Sequence, residues 1–280
     1  MKAKYVNPFT DFGFKKIFGE EASKPLLIDF LANLLPEANI VDLTFKDKDK
    51  LGHKEADRKV IYDIYCENSS GEKIIVELQK AKQNYFKDRT VYYATFPIQE
   101  QAEKGEWNYQ LKYVYCIGIL DFKFDDYIKS GEGEVIHTVQ LKDQHNQVFY
   151  EKLKFVYLEM PHFKKTASEL TSRLDKWLYF IRHLEDFETI PEIFKDEVFV
   201  QAFEKAEIAK YSEAEREDYE QSLKIYRDLK GVIDTAFDEG KQEGRLEGIF
   251  EIARKLKLKG LSISDISDLT GLSESEIDRL

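Results

Sequence analysis

Residues 60–80 read VIYDIYCENSSGEKIIVELQK. Two runs rich in Val, Ile and Tyr flank a short polar turn, the pattern of a β-hairpin whose turn sets its register. Ser69-Ser70-Gly71 suits a three-residue loop in which the last residue takes the left-handed conformation that Gly tolerates. On that turn Asn68 faces Glu72, Cys66 faces Ile74 and Asp63 faces Glu77. Directly opposed side chains stand about 4.5–5.5 Å apart at Cβ. Two acids are therefore expected side by side in strands that should be half buried. A slip of one residue would send them to opposite faces.

Two carboxylates at that distance repel, so either one keeps its proton or a cation lies between them. One reading is a divalent-metal site. Magnesium prefers carboxylate oxygen and retains waters, which suits phosphodiester hydrolysis. The other reading is structural: one acid faces solvent on an edge strand, or pairs with Lys59 or Arg89. Strand alternation puts Gln79 on the face of Glu77, with Lys80 and Cys66 on the opposite one.

The hairpin sits in a recognisable order of elements. TDFGFKKIFG opens a helix that Thr10 or Asp11 can cap, with Phe14 and Phe18 on one face. PLLIDFLANLL continues with helical spacing, and NIVDLTFKDK is a strand. QNYFKDRTVYYATFPIQEQAEKG reads as a helix, kinked at Pro97 and ended near Gly105. KYVYCIGILDF is a continuous apolar run, hence a buried central strand. EVIHTVQL and KFVYLEM are further strands. From Lys164 onward only helical patterns appear, LDKWLYFIRHLEDF and VFVQAFEKAEIAKYS among them. Three regions follow: 1–163 mixed α/β, 164–238 helical, and 239–280 a Gly-repeat helix with a small helical tail.

The net charge of −11 argues against a general DNA or membrane coat, since those footprints are basic. It leaves room for a local basic groove. Cys66 and Cys116 supply no disulfide framework or CxxC and fit a reducing cytosol. The N-terminus lacks the apolar core of a signal peptide, and no apolar run approaches the roughly 20 residues of a membrane helix. A cytoplasmic protein is expected. His53, His137, His145, His162 and His183 show no zinc-ligand spacing.

The stretches TDFGFKKIFG, YDIYC, VELQK, DRTVYYA, KGEWNYQLKYVYCIGILDF, LDKWLYF and SLKIYRD together carry a resemblance. Over nearly its whole length the chain is similar to the recombination-promoting nuclease/transposase (Rpn) family of the PD-(D/E)XK superfamily. The resemblance implies a restriction-endonuclease-like mixed α/β sheet flanked by helices, followed by an all-helical C-terminal region. It implies a metal-dependent DNA endonuclease linked to recombination or mobile elements, with Mg²⁺ or another divalent cation on Asp63 and Glu77. Gln79 stands where the superfamily usually has a Lys that orients the attacking water, and Gln is normal in this branch. Arg89 is the candidate for the missing positive charge, with Lys59 second. Asp11 falls where many members use an acid on the first helix, and a helix N-cap is the other reading of it. A non-catalytic DNA-binding or regulatory module that keeps the fold is the alternative, supported by the acidic charge and the absent Lys.

In the tail, Glu-Gly pairs at 239–240, 243–244 and 247–248 repeat every four residues. Each Gly costs about 1 kcal/mol in a helix, so the segment is either a helix packed against another along a smooth stripe or a linker. Ser273 and Glu276 form a capping box for the last helix. A helix-turn-helix is one reading of this tail and a small bundle for self-association is the other. Acids dominate the last helix, so any DNA contact here would use Arg254, Lys255, Lys257 and Lys259.

Overall fold

The computed structural model describes residues 3–46, 49–50, 60–103, 105–124 and 133–280. Thr10 accepts the N–H of Gly13 at 3.0 Å and so starts the first helix, α1 (Asp11–Phe18). Phe14, Ile17 and Phe18 bury one face of it. Pro25 opens α2 (Lys24–Leu34) in the first turn, where its missing N–H costs nothing. Short strands β1 (Leu43–Phe45), β2 (Asp49–Lys50) and β3 (Val60–Ile61) precede the hairpin of β4 (Ile64–Asn68) and β5 (Lys73–Gln79). The helix α3 (Phe86–Gln99) leads to β6 (Val114–Leu120), then β7 (Ile136–Lys142) and β8 (Val148–Glu159). Helices α4 (Arg173–His183), α5 (Glu197–Ala206), α6 (Glu213–Leu258), α7 (Ile263–Thr270) and α8 (Glu274–Asp278) complete the chain.

The hairpin turn acts as its residues dictate. Gly71 has φ +80°, and the Asn68 N–H donates to Glu72 O at 3.1 Å. Cys66 pairs with Ile74 and Ile64 with Val76. The six strands lie in the order β1-β4-β5-β6-β8-β7. β6 runs parallel to both its neighbours, and all its residues are buried. That is why its sequence is apolar without alternation.

Two layers cover the sheet. On one face Ile64, Cys66, Ile74, Val76 and Leu78 share a core with residues of α1 and α2, and with Trp177 and Phe180 of α4 and Phe199 and Phe203 of α5. On the other face Tyr62, Tyr65, Ile75, Cys116 and Tyr157 pack with Phe86 and Ala94 of α3. The start of α6 closes onto the N-terminus. Asn7 N–H donates to Tyr219 Oη at 3.0 Å, Phe12 N–H to Ser222 Oγ at 3.2 Å, and Tyr226 Oη–H to Asp121 Oδ2 at 2.8 Å.

The chain divides into two compact units, 1–226 and 227–280. In the second, α6 continues as a helix through Gly240, Gly244 and Gly248, and a Cβ built at any of them meets no described atom within 4 Å beyond the adjoining residues and backbone of its own helix. Its small core joins Ala253, Ile266, Leu272 and Ile277. Ser262 caps α7, and Ser273 with Glu276 forms the capping box of α8. Lys257 donates to the carbonyls of Ile277 and Asp278, each at 2.9 Å, and Lys255 pairs with Glu251 at 2.6 Å. Of the four basic residues expected to face DNA here, two are thus occupied within the unit. Among the described residues no helix is long and apolar enough to cross a membrane.

Candidate active site

Asp63 lies at a bend, between the end of β3 at Ile61 and the start of β4 at Ile64. Tyr62 and Tyr65 pack on the α3 face while Ile64 and Cys66 pack on the other, so side-chain alternation restarts at this bend. The carboxylate is thereby placed at the end of the sheet, where both helical layers come near. The Leu78 N–H donates to Asp63 Oδ2 at 2.8 Å, and the Asp63 N–H donates to Glu77 Oε1 at 3.2 Å. Each acid is held by the other's strand through one oxygen. Among the described residues, Asp63 Oδ1 and Glu77 Oε2 accept no hydrogen bond.

Burial, and then the Asp63 charge, push the Glu77 carboxyl above the usual carboxylate range, against the pull of the Asp63 N–H and of Arg89. Burial likewise raises Asp63, whose Leu78 N–H and Lys15 oppose the rise while Asp11 adds to it. The surroundings of Glu77 explain the direction. Behind it lies a cavity of about 10 Å³, lined by Ile75, Thr90, Tyr93, Cys116, Gly118 and Tyr157. Gly118 stands next to Glu77 in the register of β5 and β6. A Cβ at Gly118 would come within 3.0 Å of the Tyr157 ring, so Gly keeps the ring packed beside the acid. A pair of charges in so apolar a setting is costly unless a cation joins it.

Gln79 is buried, and both ends of its amide are engaged. Its Oε1 accepts from Arg89 Nη2, and its Nε2 donates to Ala81 O at 2.9 Å. Arg89, on the first turn of α3, also donates through Nη1 to Gln83 Oε1 at 2.6 Å. Its guanidinium lies over the rings of Phe86 and Tyr93 at 5.5 and 5.7 Å. The residue thus sets the direction of the Gln79 amide, and it reaches Glu77 electrostatically without bonding to it.

Asp11 is the first residue of α1 and not its N-cap, a position held by Thr10. It makes an ion pair with Lys15 at 2.9 Å. Both line a cleft of about 700 Å³ on the α1 side, with Lys16, Lys80, Asp218 and Ser222. Because β5 ends at Gln79, Lys80 steps off the strand into this cleft. Asp11, Lys15 and Lys80 all act electrostatically on Asp63. The structure therefore brings Asp63, Glu77, Gln79 and Arg89 together, with Asp11 on the neighbouring wall. Sequence reasoning missed Lys15, whose i,i+4 spacing from Asp11 was the available signal. Lys59 lies outside the described residues.

Among the described residues no cluster of three or more His, Cys, Asp or Glu is placed to hold a metal. Two carboxylates with one uncommitted oxygen each nevertheless fit magnesium, which takes one or two carboxylates and keeps several waters.

A family model described as PD-(D/E)XK nuclease family transposase matches residues 8–236, a span that includes all five candidate site residues and ends within α6. No curated protein and no solved structure matches the chain.

Proposed function

The chain belongs to the PD-(D/E)XK nuclease family of transposases, and from that premise we propose that it is a divalent-metal-dependent DNA endonuclease acting in recombination or at mobile elements. The observation that carries this reading is the interlocked acid pair, with Asp63 Oδ1 and Glu77 Oε2 left as donors. These two residues would hold Mg²⁺ or a similar cation. Such a cation, when bound, polarises a phosphoryl oxygen and lowers the pKa of a coordinated water. The chain's own residues do the rest. Asp63 and Glu77 ionise together only when positive charge stands between them. Arg89 holds Gln79 Oε1, leaving one amide hydrogen and one oxygen lone pair to orient an attacking water. Gln79 carries no charge and is no general base, so its part is positioning.

The same reading puts the protein in a reducing compartment such as the cytoplasm, supported by its two free thiols. Self-association through the C-terminal helices belongs to the same reading. Leu229, Ile233 and Phe237 are exposed along α6 at a spacing of four residues, on one helical face.

The test is incubation of purified protein with supercoiled plasmid, in Mg²⁺ or in EDTA, beside an Asp63→Ala control. Nicked or linear product should form only with the unmodified protein in Mg²⁺. Equal cleavage by Asp63→Ala would overturn the site. Metal-independent DNA binding without any cleavage would favour the non-catalytic alternative.

A further inference from the structure

The α1-side cleft holds three lysines, and two are committed. Lys15 lies 2.9 Å from Asp11, and Lys16 bridges Glu20 at 2.9 Å and Glu215 at 2.6 Å. Lys80 makes no ion pair and no hydrogen bond with any described residue, although it is half buried. A half-buried ammonium ordinarily finds a carboxylate. This one leaves the sheet directly after Gln79, two residues beyond the Leu78 N–H that holds Asp63. Burial lowers its ammonium pKa, while the charges of Asp11 and Asp63 resist that fall.

The nuclease reading asks for a cation near the acid pair that can meet phosphate. Arg89 is poorly available for this, since its two terminal nitrogens are spent on Gln79 and Gln83 and its face on two rings. Lys80 is a compact point charge with three free donors in an open cleft. We infer that Lys80 is the phosphate-contacting cation of this site, reaching a DNA phosphate from the α1 side while Asp63 and Glu77 stand at the sheet end. The strand-borne lysine that Gln79 replaces would then have its charge supplied from the opposite face. In this arrangement a DNA strand passes along the cleft between α1 and the start of α6. The inference rests on the nuclease reading, and the experiment separates the two.

Lys80→Met keeps the apolar stem and removes the charge, and Lys80→Arg keeps a charge. With plasmid in Mg²⁺, Lys80→Met should cleave about 100-fold more slowly, the scale of losing one charge-stabilising donor. Lys80→Arg should recover most of the rate, which a packing role would not allow. The thermal shift induced by Mg²⁺ should not shrink in Lys80→Met, because both acids remain. If the unmodified protein cleaves and Lys80→Met cleaves equally fast, the inference is overturned and the nuclease reading stands. If the unmodified protein does not cleave, the nuclease reading fails and binding decides. Anisotropy of a short labelled duplex in EDTA, across a salt series, should then show Lys80→Met binding more weakly, with a slope reduced by about one. An unchanged slope, or no binding at all, overturns the inference. Should Lys80→Met not fold, Lys80→Gln serves in the same comparisons.

Discussion

Glu77 and Glu159 are two glutamates drawn into the same end of one sheet, on β5 and β8 with β6 between them. Gln79 aligns with Leu120, and Leu120 with Glu159. Their neighbours differ in kind. Glu159 is 1% exposed, accepts the Phe124 N–H at 3.2 Å, and has His137 and His162 ring nitrogens at 3.1 and 3.4 Å. Glu77 has a second acid instead, and among the described residues only a backbone N–H bonds to it. Burial alone therefore does not mark a functional acid. An acid flanked by a backbone N–H and ring nitrogens holds structure together, whereas an acid beside another acid stores repulsion that a bound proton or an added cation relieves.

The sharpest way to break that contrast is to neutralise each glutamate in turn. Glu77→Gln should abolish metal-dependent cleavage and at the same time stabilise the metal-free protein. The sign follows from the raised carboxyls of the pair, which keep protons in the folded chain that the unfolded chain releases. The stability they contribute is full below the ordinary carboxylate range, about 4, and is lost as pH rises through the raised values. Urea unfolding in EDTA should thus show the advantage of Glu77→Gln growing from acid towards neutral pH. A variant less stable than the unmodified protein at neutral pH would end the argument from repulsion.

Glu159→Ala should act in the opposite direction. It leaves the buried Phe124 N–H and the His137 ring facing an unfilled site, at a cost of about 2–3 kcal/mol in urea unfolding. Cleavage per folded molecule should hardly change. A rise in stability would erase the distinction between the two glutamates.

A smaller effect is expected at Arg89. Because Arg89 and Gln79 share one hydrogen bond, Arg89→Ala and Gln79→Ala should each slow cleavage roughly 10-fold, the scale of about 1.4 kcal/mol. The double variant should be no slower than either single one, since a shared contact is not lost twice. Additive losses would mean that Arg89 acts on substrate by itself. Smallest of all, Lys257→Ala uncaps the last helix of the second unit. It should lower that unit's stability by about 1 kcal/mol in thermal melts and leave the cleavage rate untouched.

What the residues encode locally was legible before any fold was known. Gly71 demands its turn, the turn sets the register, and the register pairs Ile64 with Val76, so that Asp63 and Glu77 are the next residues along each chain. Thr10, Ser262 and Ser273 start their helices for an equally short-range reason, a side-chain oxygen within reach of a backbone N–H three residues on. The apolar run of β6 announced burial on both faces. Other features exist only after the layers have packed. The bend at Asp63 looks like continuous strand in VIYDIYC, yet tertiary packing restarts the alternation there. Lys80 appears excluded by strand parity, but β5 ends one residue earlier and the α1 layer brings a cleft to it. His137 meets Glu159, and Tyr219 meets Asn7 across 212 residues. Turn and cap energetics act over a few residues and are written in their order. Contacts between layers are selected by the burial of whole faces, and no local propensity specifies which distant side chains that burial will bring together.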